Sequence, residues 1–339
     1  MVNRRTFLKS AGAAGALGLA GCTSNDGSSD GTTTDTTNDS PGTGTGTTTK
    51  SGSDGTVNFI LTPAESSVNV KKQYAGVIKH IEEAAGVTVN ARKAANYPAV
   101  FQALKSGRAD IADASPTLAV VGADKGVTDV IGICVAFGAA KYFSLLTTPA
   151  DSSIGDLSDL NGETVAFADR VSTSGSLFPL YMLKQAGLDI GQAPEGEPKD
   201  FEGIWSNHDN AKKAMINRPD VAAAGTGAFA TMGNVPKDQF PQRVKDIAAG
   251  FDDAGTEDPK LDLLKASQPI PRAPILARSN WSSSKRSDVE QALLDAKKED
   301  FKRSEAEEEL WFTGLEKGDA SDYEPVRKVK ENLGLEFGN

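Results

Sequence analysis

Short apolar segments alternate with segments of helical spacing through the first part of the folded chain, and this alternation is the strongest constraint on the fold. Val57–Leu61, Val87–Ala91 and Ala109–Ala112 have the length and apolar content of buried strands. Between them, Val70–Ala85 and Tyr97–Leu104 place apolar residues at helical intervals. A chain that alternates in this way forms an α/β structure in which helices cover a largely parallel sheet.

The same alternation continues towards the C-terminus. The further predicted elements are a helix at Ser115–Gly122, strands at Val130–Phe137, Tyr142–Thr147, Val165–Ala168, Phe201–Trp205, Val221–Ala224, Leu261–Ser267 and Ile275–Ala277, and helices at His208–Ile216 and Asp288–Phe301. The charged C-terminal part that follows, to Asn339, is also predicted to be helical. We therefore expect two doubly wound α/β lobes joined by a two-strand hinge. Lobe I is predicted to contain residues 56–146 and 271–339, and lobe II residues 147–270.

The first 22 residues have the pattern of an export signal. Arg4 and Arg5 form a twin-arginine pair, and the weakly apolar segment Ala11–Ala20 is too short to span a bilayer. Leu19–Cys22 resembles a lipobox, so Cys22 is predicted to carry a lipid after cleavage. We expect an exported protein that is anchored through this lipid to the outer face of the cytoplasmic membrane.

Residues 23–55 are almost entirely Ser, Thr, Gly, Asp and Asn, and none of them is apolar enough to seed a core. This composition predicts a disordered tether. The rest of the chain is long enough for two lobes with cores of their own.

Charge and cysteine content exclude several classes of function. A net charge of −10 argues against nucleic acid as a partner, because such binding needs a basic face. Cys134 lies in an apolar run and is predicted to be a core residue, with no partner for an internal disulfide. The sequence has no Cys/His cluster and no P-loop, so we expect no metal and no cofactor, and we assign ATP hydrolysis to a partner.

A hydroxyl-rich turn follows the strand predicted to begin at Val165. Ser172-Thr173-Ser174 supplies consecutive hydroxyl donors, and Gly175 allows the backbone to approach a ligand closely. A helix is predicted to begin near Ser176, and the free amides and dipole of a helix start attract anions. Ser and Thr are also ordinary capping residues, so the turn alone leaves a simple helix cap as the alternative.

Ligands of open α/β sheets bind at the loops that follow the carboxyl ends of strands. The candidate loops are Thr62–Asn69, Ala94–Tyr97, Asp113–Thr117, Asp169–Gly175, Asn207–His208 and Gly225–Phe229. His208 stands in one of these loops, at a predicted helix start. The other histidine, His80, lies among charged residues and is predicted to face solvent.

Six motifs follow one another in a fixed order along the chain. They are Tyr97–Leu104, Gly107–Ala112, Lys141–Ser144, Ser172–Gly175, Ser206–Asp209 and Ser267–Pro271. In this order and at these spacings, the chain resembles the PhnD-type substrate-binding proteins of phosphonate, phosphite and phosphate ABC importers, a branch of the type II periplasmic binding proteins. The resemblance covers nearly all of Val57–Phe301.

The resemblance implies a ligand site shared by both lobes, which close around a phosphorus oxyanion. The residues that would bind its oxygens are Ser172, Thr173, Ser174, Tyr97, Tyr142 and His208. Without the resemblance, Tyr97 is as well explained by packing at a helix start, and Tyr142 is better explained as a core residue. The implied partners are an ABC permease and its ATPase subunit, and the implied protein is a monomeric carrier without enzymatic activity.

Two departures from the family pattern bear on the ligand. Members that bind aminophosphonates carry acidic residues that pair with the ligand's ammonium. The matching regions here, Gly225–Ala230 and Arg272-Ala273, contain no carboxylate. We therefore expect phosphite, phosphate or a small alkylphosphonate rather than 2-aminoethylphosphonate.

Three alternatives stand beside this interpretation. The first is a type II binding protein for another solute, such as a sulfonate, a thiamine precursor or an amino acid. The second is a hydrolase that uses Ser172 or Ser174 with His208 and Asp209, although there is no Gly-x-Ser-x-Gly elbow. The third is a metal-binding importer component, which two distant histidines disfavour.

Overall fold

The structure is a computed structural model, and it describes residues 55–64, 68–136, 138–302 and 308–336. The predicted signal, Cys22 and the tether up to residue 54 lie outside the described residues. The strands are β1 (Thr56–Leu61), β2 (Thr88–Lys93), β3 (Ile111–Asp113), β4 (Thr128–Val135), β5 (Lys141–Tyr142), β6 (Ser144–Pro149), β7 (Thr164–Phe167), β8 (Glu202–Trp205), β9 (Val221–Gly227), β10 (Leu261–Ala266), β11 (Ile270–Pro271), β12 (Pro274–Arg278) and β13 (Gly314–Glu316).

The helices alternate with these strands over most of the chain. They are α1 (Val70–Gln73), α2 (Ala75–Ala85), α3 (Tyr97–Lys105), α4 (Pro116–Asp124), α5 (Phe178–Gln185), α6 (His208–Asn217), α7 (Ala228–Thr231), α8 (Gln242–Ile247), α9 (Arg286–Asp295), α10 (Lys298–Phe301) and α11 (Glu324–Leu333). A π-helical turn, Thr173–Leu177, leads directly into α5.

Six strands form the first sheet, in the order β13-β4-β12-β3-β1-β2. β1 is parallel to β2 and β3, and β12 is antiparallel to β3 and β4. Phe59 packs in a core with α2 and α9, whereas its neighbour Ile60 packs with α3 and α4 on the other face. Because successive strand residues point to opposite faces, one apolar strand supports a core on each side of the sheet.

Five strands form the second sheet, in the order β10-β6-β9-β7-β8. β7 is parallel to β8 and β9, while β6 is antiparallel to β9 and β10. Phe167 of β7 packs with Leu180 of α5, and the preceding Ala166 packs with Ala211 of α6. Helices therefore cover both faces of this sheet as well.

The chain passes between the two sheets at β5 and β11, which pair with each other as antiparallel strands. Tyr142 lies opposite Ile270, and Lys141 lies opposite Pro271. The predicted class, two α/β lobes joined by a two-strand hinge, is confirmed. We refer to the lobes by their sheets, as the six-stranded lobe and the five-stranded lobe.

Two predictions about the C-terminal region are wrong. The expected helix over Asp288–Phe301 is interrupted, because Ala296 and Lys297 adopt extended backbone between α9 and α10. The bend buries Phe301 against Phe312, with ring centres 5.5 Å apart. The following segment, expected to be helical, also contains β13, which pairs with β4 at the edge of the six-stranded sheet.

The environment of His80 also differs from the prediction of a solvated face. Its Nε2 lies 2.9 Å from the carbonyl oxygen of Ala292, and its ring meets Phe301 edge-on. His80 therefore joins α2 to α9 and α10. Cys134 is buried, as its apolar surroundings predicted. No helix within the described part of the chain is both long and apolar enough to cross a membrane.

Candidate functional site

The hydroxyl-rich turn lies where β7 ends, at the edge of the five-stranded sheet. Ser172 is the N-cap residue, and its hydroxyl oxygen accepts a hydrogen bond from the amide of Gly175 at 3.2 Å. The helical backbone begins at Thr173, earlier than the predicted start near Ser176, and its first turn is π-helical. Among the described residues, the amides of Thr173 and Ser174 donate to no protein acceptor. Two N–H groups thus remain available at this helix start.

His208 supports Ser172 from the start of α6. The amide of Gly227 donates to Nδ1 of His208 at 3.0 Å, so this nitrogen is the acceptor. In the neutral ring the proton must then reside on Nε2, which donates to the Ser172 hydroxyl oxygen at 3.2 Å. Burial lowers the pKa of His208 to about 4, so the ring is neutral at physiological pH.

This tautomer decides what the Ser172–His208 pair can do chemically. A histidine whose Nε2 already carries the proton cannot accept the proton of Ser172, which a general base must do. The oxygen of Ser172 accepts from Nε2 and from the Gly175 amide, so its own proton is left to donate to something else. The pair is arranged for hydrogen-bond donation rather than for nucleophilic attack.

Gly175 is needed for a different reason from the predicted one. A Cβ atom at this position would lie 2.2 Å from Cβ of Ala168 and 2.7 Å from Cε1 of His208. The missing side chain therefore lets the turn pack on the histidine and on the strand end. It does not open space for a ligand.

Thr173 connects the turn to the six-stranded lobe. Its hydroxyl oxygen accepts from the backbone amide of Thr117 at 2.9 Å, and the two threonine hydroxyls are 2.7 Å apart. Thr117 lies in the first turn of α4, behind the capping residue Ser115. The sequence placed Thr117 in a candidate loop, but not among the site residues. The signal that could have found it is a Ser-Pro-Thr helix start directly after a buried strand.

Tyr97 approaches the same turn from α3. It is almost completely buried, and the side chain of Ser172 lies close enough to its phenol to act on the pKa. Its backbone amide donates to a carboxylate oxygen of Asp169 at 3.4 Å. Burial, followed by the nearby Asp169 charge, holds the pKa of Tyr97 well above its usual value, so the phenol keeps its proton.

Tyr142 approaches from the hinge strand β5. Burial raises its pKa to about 12, and the side chain of Ser174 lies close enough to its hydroxyl to oppose this rise. Its ring stacks on Phe229 with centres 6.3 Å apart, and Phe229 in turn meets the ring of His208 at 4.8 Å. Phe229 is 50% exposed, which is unusual for a large apolar side chain in this chain.

All six predicted site residues are thus part of one network. Ser172 contacts Tyr97 and His208, Ser174 contacts Tyr142, and Thr173 contacts the opposite lobe. The donors are hydroxyls, backbone amides and a neutral imidazole. This set suits an oxyanion, which accepts hydrogen bonds at each oxygen. In the described residues, no group of three or more His, Cys, Asp or Glu side chains is arranged to hold a metal ion.

A family model for the periplasmic substrate-binding proteins of phosphonate ABC transporters matches residues 59–323, a span that includes every residue of this network. The chain belongs to this family. Members of the phosphonate-binding family are transporter components and not enzymes. A second model, for the twin-arginine translocation signal, matches residues 1–21 and confirms the predicted export signal.

Two curated relatives agree with this family membership. The phosphate-import protein PhnD of Mycolicibacterium smegmatis is 31% identical over 49% of this chain and 53% of its own length. The phosphonates-binding periplasmic protein of Escherichia coli is 28% identical over 67% of this chain and 62% of its own length. The chain thus spans between about half and three fifths of the length of these relatives.

Solved structures share the fold at lower sequence identity. A binding protein component of an ABC phosphonate transporter from Pseudomonas aeruginosa has a TM-score of 0.62 and 22% identity, over 83% of this chain and 87% of its own. PhnD1 from Prochlorococcus marinus in complex with methylphosphonate also has a TM-score of 0.62, with 16% identity over 83% and 99% of the two chains. Both support the two-lobed architecture of the phosphonate-binding family.

Proposed function

We propose that this chain captures a small phosphorus oxyanion between its two lobes and delivers it to an ABC importer. The observation that carries the proposal is the position of Ser172-Thr173-Ser174, at the end of β7, with Tyr97 and Tyr142 reaching the same turn. These groups come from both lobes and from the hinge. A ligand bound here would gain its full set of hydrogen bonds only when the lobes are closed.

The proposed binding mode uses neutral donors around a charged ligand. The amides of Thr173 and Ser174 and the hydroxyls of Ser172 and Ser174 would donate to the phosphoryl oxygens, together with the two phenols. His208 would act through Ser172, because both of its ring nitrogens are already engaged by protein groups. A hydrogen bond to a charged group contributes about 1.5–3 kcal/mol, so a few of them sustain micromolar affinity, about −8 kcal/mol, after ordering costs.

The surroundings of the turn favour a compact ligand over an aminophosphonate. The segment Gly225–Ala230 presents Phe229 and no carboxylate, and the hinge position Arg272 is basic. An ammonium group would find no counter-ion in either place, and it would be repelled by the guanidinium. We therefore propose phosphite, phosphate or a small alkylphosphonate as the ligand.

A thermal-shift screen of the purified protein, followed by calorimetry, tests the ligand class. A ligand that binds the folded state alone raises the melting temperature. The screen contains phosphite, phosphate, methylphosphonate, 2-aminoethylphosphonate, sulfate and an alkylsulfonate. We expect a phosphorus oxyanion to bind most tightly. Tighter binding of the alkylsulfonate would instead support the alternative of a type II binding protein for another solute. Tenfold tighter binding of 2-aminoethylphosphonate than of methylphosphonate or phosphite would refute the proposed ligand.

Variants of the turn test the binding site itself. Ser172→Ala and Ser174→Ala each remove one proposed donor, and we expect each to weaken affinity about tenfold or more. Ser106→Ala is the matched control, because its hydroxyl makes only local contacts after α3: it donates to the carbonyls of Gln102 and Ala103 and accepts from Nε of Arg108. Unchanged affinity in both turn variants would place the ligand elsewhere.

The remaining parts of the proposal concern location and partners. Export by the twin-arginine route would be followed by lipid attachment at Cys22, which would hold the protein on the outer face of the cytoplasmic membrane as a monomer. The tether of residues 23–55 would let the two lobes reach a permease and its ATPase subunit. In this proposal, lobe I contains residues 56–146 and 271–339, and lobe II contains residues 147–270. Metabolic labelling with a radioactive fatty acid, compared between the natural chain and Cys22→Ala, tests the anchor.

A further inference from the structure

Arg272 is a buried cation in the hinge. It follows β11, and the residue as a whole is only 8% exposed. Its Nε donates to the carbonyl oxygen of Ala139 at 2.8 Å, and its backbone carbonyl accepts from the hydroxyl of Tyr323 at 2.9 Å. Its two terminal nitrogens make no hydrogen bond and no ion pair with any described residue.

The groups packed around this guanidinium do not neutralise it. The titratable side chains that act on it are Tyr142 and Cys134, and Tyr323 contacts its backbone. Burial raises the pKa of all three groups, so they carry no charge at neutral pH. A buried charge without a counter-ion is costly, and proteins rarely keep one that has no function. By contrast, buried Arg278 pairs with Asp110 at 2.8 Å.

Arg272 also lies beside the candidate site. Its guanidinium carbon is 5.9 Å from the centre of the Tyr142 ring, and the hydroxyl of this tyrosine contacts Ser174. The six predicted site residues are all uncharged. Arg170, two residues before Ser172, is already engaged by protein groups: it stacks on Trp205 at 3.8 Å and pairs with Glu197 at 3.1 Å.

We propose that Arg272 is the counter-charge of the bound oxyanion and that it makes the site select doubly ionised ligands over singly ionised ones. This inference rests on the proposed function and adds a specificity-determining residue to it. The hydroxyls and amides recognise oxygen atoms, whatever the total charge of the ligand. The guanidinium responds to the total charge of the ligand. In a poorly solvated cleft, the attraction between the guanidinium and the ligand is roughly proportional to that charge.

A pair of ligands and a pair of variants isolate this effect. Methylphosphonate has two ionisable oxygens, whereas methylphosphinate has one and carries a P–H bond in place of the other. Calorimetry at about pH 8.5, above the second ionisation of a phosphoryl group, gives the ratio of the two affinities for each protein. The proteins compared are the natural chain, Arg272→Met, Arg272→Lys and Arg243→Met.

We expect the natural chain to prefer methylphosphonate and Arg272→Met to reduce this preference about tenfold. Arg272→Lys should keep most of the preference, because it keeps the positive charge. It loses only the Nε bond to Ala139. Arg243→Met is the matched control, because it changes the net charge of the protein by the same amount. Arg243 also resembles Arg272 in donating to backbone carbonyls, those of Ala266 and Ser267. We expect it to leave the ratio unchanged.

The possible failures are distinguishable. If the natural chain binds methylphosphonate but Arg272→Met keeps its affinity ratio, the role of Arg272 is refuted and the proposed function stands. If Arg272→Lys loses the preference as completely as Arg272→Met, the residue acts through its shape and not its charge, which also refutes the inference. If the natural chain binds no phosphorus oxyanion, both proposals fall. Should Arg272→Met not fold, as judged by its melting transition, Arg272→Gln takes its place in the same comparison.

Discussion

The hydroxyl oxygens of Thr117 and Thr173 lie 2.7 Å apart, and they belong to different lobes. The backbone amide of Thr117 donates to the same Thr173 oxygen at 2.9 Å, and both residues are almost completely buried. These bonds form only when α4 approaches the turn after β7. The pair is therefore a direct link between lobe closure and the segment that we propose to bind the ligand.

We predict that Thr117→Val weakens ligand binding. The substitution removes one hydroxyl from the closed form while keeping the size and the backbone amide. A net hydrogen bond contributes about 0.5–1.5 kcal/mol, so affinity should fall about threefold to tenfold in calorimetry with the tightest ligand of the screen.

Thr128→Val is the matched control for this experiment. Thr128 is also buried in the six-stranded lobe, but among the described residues its hydroxyl oxygen has no hydrogen-bond partner. Removing an unsatisfied buried hydroxyl should stabilise the fold by up to about 1 kcal/mol and leave affinity unchanged. Equal losses of affinity in both threonine variants would contradict a specific role for Thr117.

We predict that His208 stays neutral down to about pH 5. Burial lowers its pKa to about 4, while the unfolded chain titrates near 6.5. The unfolded state therefore binds more protons below 6.5, and His208 makes the protein less stable as the pH falls from there towards 4. The imidazole resonances of His208 in NMR spectra should not shift between about pH 8 and pH 5. His80→Gln assigns the signals, and an ordinary titration midpoint near 6.5 for His208 would show that burial does not keep this ring neutral.

We predict that ionisation of Asp113 lowers the free energy of unfolding as the pH rises. Burial raises the pKa of this carboxyl to about 7, from 3.8 in an unfolded chain. Between these two values the folded state holds a proton that the unfolded state has lost, so stability decreases up to about pH 7. Asp113→Asn removes this effect, and the difference in unfolding free energy between about pH 5 and pH 8 should shrink by about 2–3 kcal/mol.

The control for Asp113 is the substitution Asp151→Asn. Asp151 is an exposed aspartate in the turn after β6. Its substitution should not change the pH dependence measured by urea unfolding. If the stability of Asp113→Asn still falls above pH 5 as steeply as that of the natural chain, ionisation of this carboxyl does not cause the fall.

We predict that the buried pair of Asp110 and Arg278 is essential for the stability of the six-stranded lobe. Their side-chain atoms lie 2.8 Å apart, and Asp110 also accepts from the backbone and side-chain nitrogens of Asn58. Asp110→Ala leaves the buried guanidinium without a counter-ion, although it keeps its bonds to Ala109 and Asn280, and should cost about 3–5 kcal/mol in urea unfolding. The double variant with Arg278→Met should lose less than Asp110→Ala alone, because the isolated charge is removed as well.

An exposed pair provides the contrast. Arg218 and Asp220 are in contact at the end of α6, but both are largely solvated. Asp220→Ala should cause no measurable loss of stability, because water screens the attraction. A large loss of stability in Asp220→Ala, or no loss of stability in Asp110→Ala, would show that burial does not determine the strength of these ion pairs.

The fold was largely predictable from the sequence because its elements are marked locally. Apolar strands such as Val57–Leu61 and helix starts such as Asn96-Tyr97-Pro98 depend on spacing and capping that neighbouring residues supply. The break between α9 and α10 was not predictable in this way. It serves the packing of Phe301 against Phe312 and His80, and these residues are distant from one another in the chain.

The candidate site was predictable where chemistry and loop position coincide. Ser172, Tyr97 and His208 carry polar groups in loops at strand ends, and the structure brings them into contact. Thr117 also stands in a strand-end loop, but a threonine at a helix start has an ordinary structural explanation. The same holds for Phe229, a phenylalanine that follows a strand. The tautomer of His208 depends on the amide of Gly227, which no side-chain pattern reveals.

The sequence by itself determined the alternation of strands and helices, the export signal and the hydroxyl-rich turn from Ser172 to Ser174, because each is encoded by adjacent residues. Only the tertiary structure decided that Thr117 closes on Thr173, that His208 supports Ser172 as a neutral donor, and that Arg272 has no acidic partner among the described residues. These properties depend on burial and on contacts between distant segments. Electrostatic and hydrogen-bonding roles are set by such surroundings, so they appear only once the chain is folded.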